Sequence, residues 1–146
     1  MNPMAHAHPD SIQITALFSS ALDHEDWAKA RSLLQDDCEY VIRGRRVIGQ
    51  DQIIQEYRAS ASWGSSMFDE ITYRSELEQC RDGRIRVTFI DRIRKGDRHH
   101  VYKCDQVISV DRQGLINRIM HFDRAHDEDQ LHGFLQTCGI QRPAKH

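Results

Sequence analysis

The stretch Tyr102–Asp123, YKCDQVISVDRQGLINRIMHFD, has the pattern of two strands joined by a turn. Apolar residues run through both halves, and Asp111–Gly114 between them has the composition of a tight turn. Among the polar side chains of this hairpin, Asp105, His121 and Asp123 are the ones that could take part in acid–base chemistry. They indicate either a reactive pocket or ordinary polar groups on a half-exposed sheet, and the function depends on which of the two is present.

The residues before this hairpin extend it into a meander. In residues 71–77 and 85–93 nearly every second residue is apolar or small, while most of the others are charged. Asp82-Gly83 is a turn signal between the two runs, and Lys95-Gly96-Asp97 separates the second run from residues 99–110. The pattern therefore predicts four long antiparallel strands in chain order.

The N-terminal part of the chain has helical spacing instead. Ser11 is a candidate N-cap, and the apolar side of the helix that follows consists of Ile14, Leu17, Phe18, Ala21 and Leu22. Asp23 or Asp26 would cap a second, short helix, which ends at Asp36-Asp37. A short strand, Cys38–Arg43, then reverses at Gly44.

A third helix is expected to begin at Gly49 and Asp51. Its buried side consists of four residues: Ile53, Ile54, Tyr57 and Ala61. The run Ser60–Ser66 is rich in Gly and Ser and predicts a loop. Trp63 within this loop would fold back onto the core or cover a pocket.

A final helix, from Asp127 to about Thr137, is expected to stop at Gly139. Helices, a short hairpin and a meander in this order predict an α+β fold with helices on one face of a curved antiparallel sheet. Such a sheet can wrap into a cone that holds a small-molecule pocket. We expect a flexible arm over residues 1–10, one domain over residues 11–139 and a C-terminal tail over residues 140–146.

Composition restricts the class of protein. A chain of 146 residues suits one domain, and a net charge of -2 with interleaved acids and bases argues against nucleic-acid binding. The cysteines are far apart, form no CxxC pair and predict free thiols: Cys38, Cys80, Cys104 and Cys138. No apolar stretch near the N-terminus indicates a signal peptide or a membrane span, so we expect a cytoplasmic protein.

Several motifs follow one another in a fixed order between about Ile12 and Asp123. They are Trp27 after an acidic loop, Leu34–Asp37 before the first strand, Gly49-x-x-x-Ile53, and Gly114-x-Ile116. Together they resemble the nuclear transport factor 2-like superfamily, and within it the SnoaL-like, polyketide cyclase-like branch. The resemblance implies a cone-shaped, cystatin-like sheet wrapped around the N-terminal helices. It also implies a small apolar ligand, neither cofactor nor metal, and a homodimer formed through the outer face of the sheet.

The resemblance also implies a catalytic pair. In polyketide cyclases and scytalone dehydratases the last two strands carry acid–base groups, and Asp105 and His121 are similar in position. A carboxylate beside an imidazole fixes its tautomer and raises its basicity. Alternatives stay open: His121 as a core histidine with satisfied hydrogen bonds, and Asp123 as a helix cap. A one-residue slip of strand 99–110 would remove Asp105 from the pocket.

Five residues are expected to bind the substrate. Tyr40 would orient the substrate, while Tyr57, Trp63 and Phe89 would form an apolar part of the pocket wall. Asp91 shares a strand face with Phe89 and would need a partner inside the pocket, or would lie at its mouth beside an arginine.

Two chemistries of the superfamily are disfavoured by individual residues. Ile42 occupies the position of the general base of ketosteroid isomerases and cannot take a proton. Epoxide hydrolases of the superfamily use an Asp-Arg-Asp set. Asp91 and Arg92 are adjacent, so they face opposite sides of their strand and cannot both belong to such a set.

The resemblance thus implies a small-molecule-binding protein that catalyses isomerisation, dehydration or cyclisation by proton transfer without a cofactor. The alternative is a non-catalytic ligand-binding or assembly protein with the same fold. An enzyme of this kind would have an open cavity faced by at least one unpaired acid or base. A non-catalytic protein would have a filled cavity, or polar groups that satisfy one another.

Overall fold

A computed structural model describes residues 10–143 of the chain. The helices are α1 (Ser11–Asp23), α2 (Trp27–Ser32), α3 (Gln50–Met67) and α4 (Ala125–Thr137). The strands are β1 (Leu34–Ile42), β2 (Arg45–Ile48), β3 (Glu70–Gln79), β4 (Ile85–Lys95), β5 (Arg98–Val110) and β6 (Ile116–Asp123). Apart from Asp10, the predicted N-terminal arm lies outside the described residues.

The six strands form one sheet in the order β2-β1-β6-β5-β4-β3. The meander β3–β6 is antiparallel throughout, as the alternating pattern predicts. β1 pairs with β6 in parallel, so the sheet is antiparallel at every junction except this one. The α+β prediction is confirmed.

The reversal between β1 and β2 occurs at Arg43 and Gly44, which have φ values of 47° and 77°. Two consecutive residues with positive φ make the two-residue turn that suits the twist of a hairpin. Arg43 therefore lies at the tip of a tight turn, beside the end of β6.

β6 contains an irregularity that sets which of its side chains face inward. Ser109 pairs with Arg118, but the next residue of β5, Val110, pairs with Ile116, which leaves Asn117 as an extra residue. A β-bulge of this kind shifts the alternation of the strand by one position. Ile116 and Ile119, three residues apart, are consequently both buried in the core.

Apolar side chains form two clusters on the concave side of the sheet. The larger cluster joins α1–α3 to the sheet and includes Phe18, Ile53 and Ile108, all of them fully buried. The smaller cluster lies between α4 and the sheet and includes Tyr102 and Leu131. The helices therefore cover the concave face and leave the convex face uncovered within residues 10–143.

Three local predictions are wrong. The predicted loop Ser60–Ser66 belongs to α3, because the small Ala61 and Gly64 are buried against the sheet and tertiary packing outweighs weak helix propensity. Asp10 occupies the N-cap position of α1, and Ser11 is its first, buried residue. Asp36-Asp37 lies within β1, so it does not end a helix.

The C-terminal helix ends as predicted. Gly139 has a φ of 70°, and the amide of Ile140 donates to the carbonyl of Leu135 over 2.9 Å, which closes the helix end. Ile140 then packs on the smaller cluster, so the described part of the predicted tail follows the domain surface. No helix within residues 10–143 is long and apolar enough to cross a membrane.

Candidate active site

A cavity of about 410 Å³ lies between the concave face of the sheet and the helices. Its wall contains six of the seven residues expected to form the site: Tyr40, Tyr57, Trp63, Phe89, Asp91 and His121. The exception is Asp105. The cavity is large enough for a small organic molecule, because such pockets begin at about 300 Å³.

Asp105 faces the convex side of the sheet. On β5 the side chains of Tyr102, Cys104 and Gln106 line the cavity, so the intervening Asp105 points away from it. Its carboxylate accepts hydrogen bonds from Arg124 Nε at 2.8 Å and from Thr88 Oγ1 at 2.8 Å. Burial opposes ionisation of Asp105, but these hydrogen bonds outweigh it and lower its pKa. The expectation that Asp105 lies beside His121 is therefore wrong, because the next residue along β5, Gln106, is the one that faces the cavity.

The residue opposite His121 is Gln106. Gln106 Nε2 lies 3.3 Å from His121 Nδ1, and His121 Nε2 lies 2.7 Å from Asp123 Oδ1. Because an amide nitrogen can only donate, Nδ1 accepts and the ring proton is on Nε2, where it points at Asp123. Burial lowers the pKa of His121 although Asp123 acts against it, and the ring is neutral at neutral pH.

Asp123 forms a hydrogen bond with His121 and does not cap α4. The N-cap position of α4 is Arg124, and no side chain caps the helix there. Besides His121, Asp123 binds Arg43, whose Nε and Nη2 lie 2.8 and 3.0 Å from its two oxygens. Burial acts to raise the pKa of Asp123, but the bonds from His121 and Arg43 lower it overall. The spacing His121-x-Asp123 places both on one strand face and could have revealed this pair.

Two tyrosines complete the network around Gln106. Tyr57 Oη donates to Gln106 Oε1 at 2.7 Å, and Gln106 Nε2 donates to Tyr40 Oη at 3.0 Å. The two rings stack with centroids 5.3 Å apart. Burial raises the pKa of both phenols, so they stay protonated and act as hydroxyl groups.

Asp91 lies on β4 at another part of the cavity. Its register partners are Tyr73 on β3 and Tyr102 on β5. Among residues 10–143 no side chain or backbone group forms a hydrogen bond or ion pair with its carboxyl group. Burial, followed by the negative charge of Asp23, raises the pKa of Asp91 to about 7.

Asp23, the last residue of α1, is a second carboxyl group in the cavity wall. Ser75 Oγ donates to its Oδ2 at 2.8 Å, and Ser75 lies on the same strand face as Tyr73, the register partner of Asp91. Burial raises the pKa of Asp23, although Ser75 and His24 act to lower it. The sequence indicated only a helix-capping role for Asp23, because no local pattern places it beside β4.

Ion pairs occupy the remaining charged positions of the wall. Arg45 binds Glu56 through two bonds of 3.1 and 3.0 Å. Arg142 binds Glu128 at 2.7 Å, and Glu128 also accepts from the hydroxyl of Tyr102. Within residues 10–143 no group of three His, Cys, Asp or Glu side chains is arranged to hold a metal ion.

No protein-family model and no curated protein sequence matches the chain. Several solved structures are similar in fold. An epoxide hydrolase of the LEH-like type from M. tuberculosis has a TM-score of 0.61 at 18% identity, covering 89% of this chain and 96% of that one. An NTF2-like protein of unknown function from Exiguobacterium has a TM-score of 0.55 at 15% identity, covering 75% and 93%.

The chain has the nuclear transport factor 2-like fold. A third structure with this fold is RV0760c from Mycobacterium tuberculosis, in complex with estradiol-17beta-hemisuccinate, with a TM-score of 0.61 at 11% identity, covering 80% and 95%. Two further structures with this fold are putative polyketide cyclases. Identities this low establish the shared nuclear transport factor 2-like fold and leave the reaction to the residues of the site.

Proposed function

We propose that this protein binds a small, mostly apolar molecule in the cavity and transfers a proton on it, in an isomerisation, dehydration or cyclisation. Asp91 is the acid–base group. The observation that carries the proposal is a carboxyl group in the wall of an open cavity that no group within residues 10–143 pairs with. An unpaired acid in the cavity is what the enzyme hypothesis requires.

The surroundings of Asp91 suit proton transfer at neutral pH. With a pKa of about 7, the carboxyl group is present in both the protonated and the ionised form, and general acid–base catalysis is most efficient when the pKa lies near the working pH. Phe89 and Ile93 flank it on the same strand face and supply apolar contacts. The substrate therefore presents its reacting carbon or oxygen to Asp91 and its apolar body to these side chains.

In this proposal His121 orients a neighbouring side chain, whereas the sequence predicted it to be one of the two catalytic groups. Both ring nitrogens are bonded within the protein, to Gln106 and to Asp123, so the ring orients the amide of Gln106. Gln106 in turn positions the hydroxyl group of Tyr40 at the cavity wall. Tyr40 and Gln106 then orient the polar group of the substrate that does not react.

A second candidate function is ligand binding without chemistry. The specific observation in its favour is that the network of Gln106, His121 and the two tyrosines is satisfied internally. Asp91 would then only contribute to ligand selectivity. The two functions differ in whether hydrogen bound to ligand carbon is exchanged with solvent.

Deuterium incorporation from heavy water into cyclic ketones and hydroxyketones, followed by mass spectrometry, tests the proposal. The wild type is expected to accelerate exchange for at least one compound that it binds, and Asp91→Asn to slow it by about 100-fold or more. Glu76→Gln, which removes an exposed carboxylate on the other face of β3, is the matched control and should retain full activity. Binding without exchange would favour the second candidate function, and absence of binding would contradict both.

The expected homodimer through the convex face of the sheet is part of the same proposal. Val101 and Phe122 lie on this face with 40% and 46% of their surface exposed. Sedimentation velocity should show a dimer for the wild type and a monomer for Phe122→Asp. A monomeric wild type at micromolar concentration would contradict it.

A further inference from the structure

We infer that the ligand carries a protonated amine, which is bound between the carboxyl groups of Asp23 and Asp91. The inference rests on the proposed function insofar as a small molecule occupies the cavity, but it does not depend on which reaction follows. It assigns the chemical class of the ligand: an aromatic or alicyclic ammonium compound.

The distribution of charge in the cavity wall is the first argument. Each arginine of the wall is matched by a carboxylate of the protein, in the pairs Arg43–Asp123, Arg45–Glu56 and Arg142–Glu128. Asp23 and Asp91 form no ion pair with any residue between 10 and 143. The charge that the protein leaves unmatched in the cavity is therefore negative and lies at the Asp23–Asp91 end.

The arrangement of the two carboxyl groups is the second argument. Ser75 fixes Asp23 at 2.8 Å, and Ser75 and Asp91 are diagonal neighbours on the inward face of β3 and β4. Diagonal neighbours on paired strands are about 7 Å apart, and Asp23 is bonded to one member of this pair, Ser75. The negative charge of Asp23 also acts on Asp91, so the two carboxyl groups lie at the same end of the cavity. Asp91 has no protein partner in the described chain, although an isolated buried carboxylate is costly. A ligand cation supplies the missing partner.

The walls near this end are aromatic. Tyr73 is the register partner of Asp91, Phe89 lies two residues before Asp91 on the same strand face, and both line the cavity, as does Trp27. Aromatic faces attract ammonium groups when the cation lies within about 6 Å of the ring centroid. Carboxylates with aromatic walls thus favour an amine over a neutral compound of equal shape.

The titratable neighbours determine how such binding depends on pH. Asp23, Tyr73 and Cys104 are close enough to interact electrostatically with Asp91, and His24 and Ser75 interact with Asp23. Burial keeps the Tyr73 and Cys104 groups protonated and uncharged. Two adjacent carboxyl groups oppose each other's ionisation, and a bound ammonium group removes this opposition. Binding of an amine therefore releases a proton from Asp91 when the pH is below about 7. With the amine bound, Asp91 is ionised, and its part in the proposed proton transfer is that of the base.

Calorimetric titration with three probes of equal shape tests the inference: naphthylmethylamine, naphthylmethanol and naphthoic acid. The amine is expected to bind most tightly and the acid most weakly at pH 8. Between pH 6 and pH 8 the affinity for the amine should rise about tenfold, because Asp91 ionises over this range. The affinity for the alcohol should change by less than about twofold over the same range.

Two variants identify the residues. Asp91→Asn and Asp23→Asn should each weaken amine binding about tenfold or more at pH 8 and leave alcohol binding within about twofold, since only a charge is lost. Asp91→Asn should also remove the pH dependence. The control Glu76→Gln should bind all three probes like the wild type. Circular dichroism establishes that each variant is folded.

The outcomes separate the inference from the proposed function. If the alcohol binds as tightly as the amine at pH 8, the cavity binds small molecules but the inference about the amine is wrong. If the acid binds most tightly, the charge argument is wrong. If none of the probes binds, the inference fails, and the proposed function then depends on the exchange experiment alone.

Discussion

Asp91 is a carboxyl group whose surroundings favour the protonated form, and this has a consequence for stability. Its pKa is about 7 in the folded protein and near the ordinary 3.8 in the unfolded chain. Between these values the folded state binds more protons than the unfolded state, so the free energy of unfolding falls as the pH rises from about 4 to about 7. Asp91→Asn should remove this fall.

The measurement is urea denaturation at pH 4.5 and pH 8 of wild type and Asp91→Asn. The variant should be the more stable protein at pH 8, by up to a few kcal/mol, and the difference should shrink at pH 4.5. Glu76→Gln, at an exposed position, should follow the wild type at both pH values. An Asp91→Asn protein that loses stability equally at both pH values would contradict the account of Asp91.

His121 provides a second prediction for a single residue. Its pKa lies below the ordinary value because of burial, and Asp123 is the partner that acts to raise it. Asp123→Asn should therefore lower the pKa of His121 further, whereas Asp105→Asn, on the other face of the sheet, should leave it unchanged. NMR titration of the ring protons measures both. A shift in Asp105→Asn equal to that in Asp123→Asn would contradict the assignment of faces.

For individual residues, the sequence predicted which side chains line the cavity better than it predicted which groups those side chains bind. Alternation along β4 identified Asp91, since its face also carries Val87, Phe89 and Ile93. It failed on β5 because both faces of that strand mix polar and apolar residues. The bond that draws Asp105 outward comes from Arg124, nineteen residues along the chain, and no local pattern reports a partner at that distance.

Helix α3 shows that the structure of a segment can differ from the one that its composition predicts. Residues 60–66 are Ser- and Gly-rich, but Gly64 lies so close to β3 that an added Cβ would be 3.2 Å from Ile71 Cδ1. The small side chains serve close packing, which composition does not distinguish from a loop. As a result Trp63 is held on a rigid helix at the cavity wall.

The start of α3 supports a prediction about backbone conformation. Gly49 has a φ of 100° and a ψ of 152°, a region open almost only to glycine, and its amide donates to the carbonyl of Cys38 at 2.9 Å. Gly49→Ala should lower the free energy of unfolding by about 1–3 kcal/mol. Chemical denaturation measures this value.

Gly133 is the matched control for Gly49. It lies inside α4, where nothing is within 4 Å of an added Cβ. Gly133→Ala should raise the free energy of unfolding by up to about 1 kcal/mol, because alanine favours helix. A similar effect of both substitutions would contradict the conformational explanation.

For the whole molecule, the sequence predicted the architecture and missed the connection that completes it. The meander, the α+β class and the cavity follow from alternation, turn residues and resemblance. The parallel pairing of β1 with β6 joins residues about 80 positions apart. Hydrophobic periodicity describes one segment at a time, so it does not specify which distant strands become neighbours.

The bulge at Asn117 marks a position where the length of the chain can change without altering the cavity. If Asn117 were lost, Arg118 would follow Ile116 directly and still pair with Ser109, so His121 and Asp123 would keep Gln106 and Cys104 as their partners. Loss of a residue between Arg118 and Met120 would instead shift the alternation and turn both side chains away from the cavity. Related genes that differ by one codon at the bulge would therefore encode the same cavity wall, whereas a one-codon difference further along β6 would replace its polar groups.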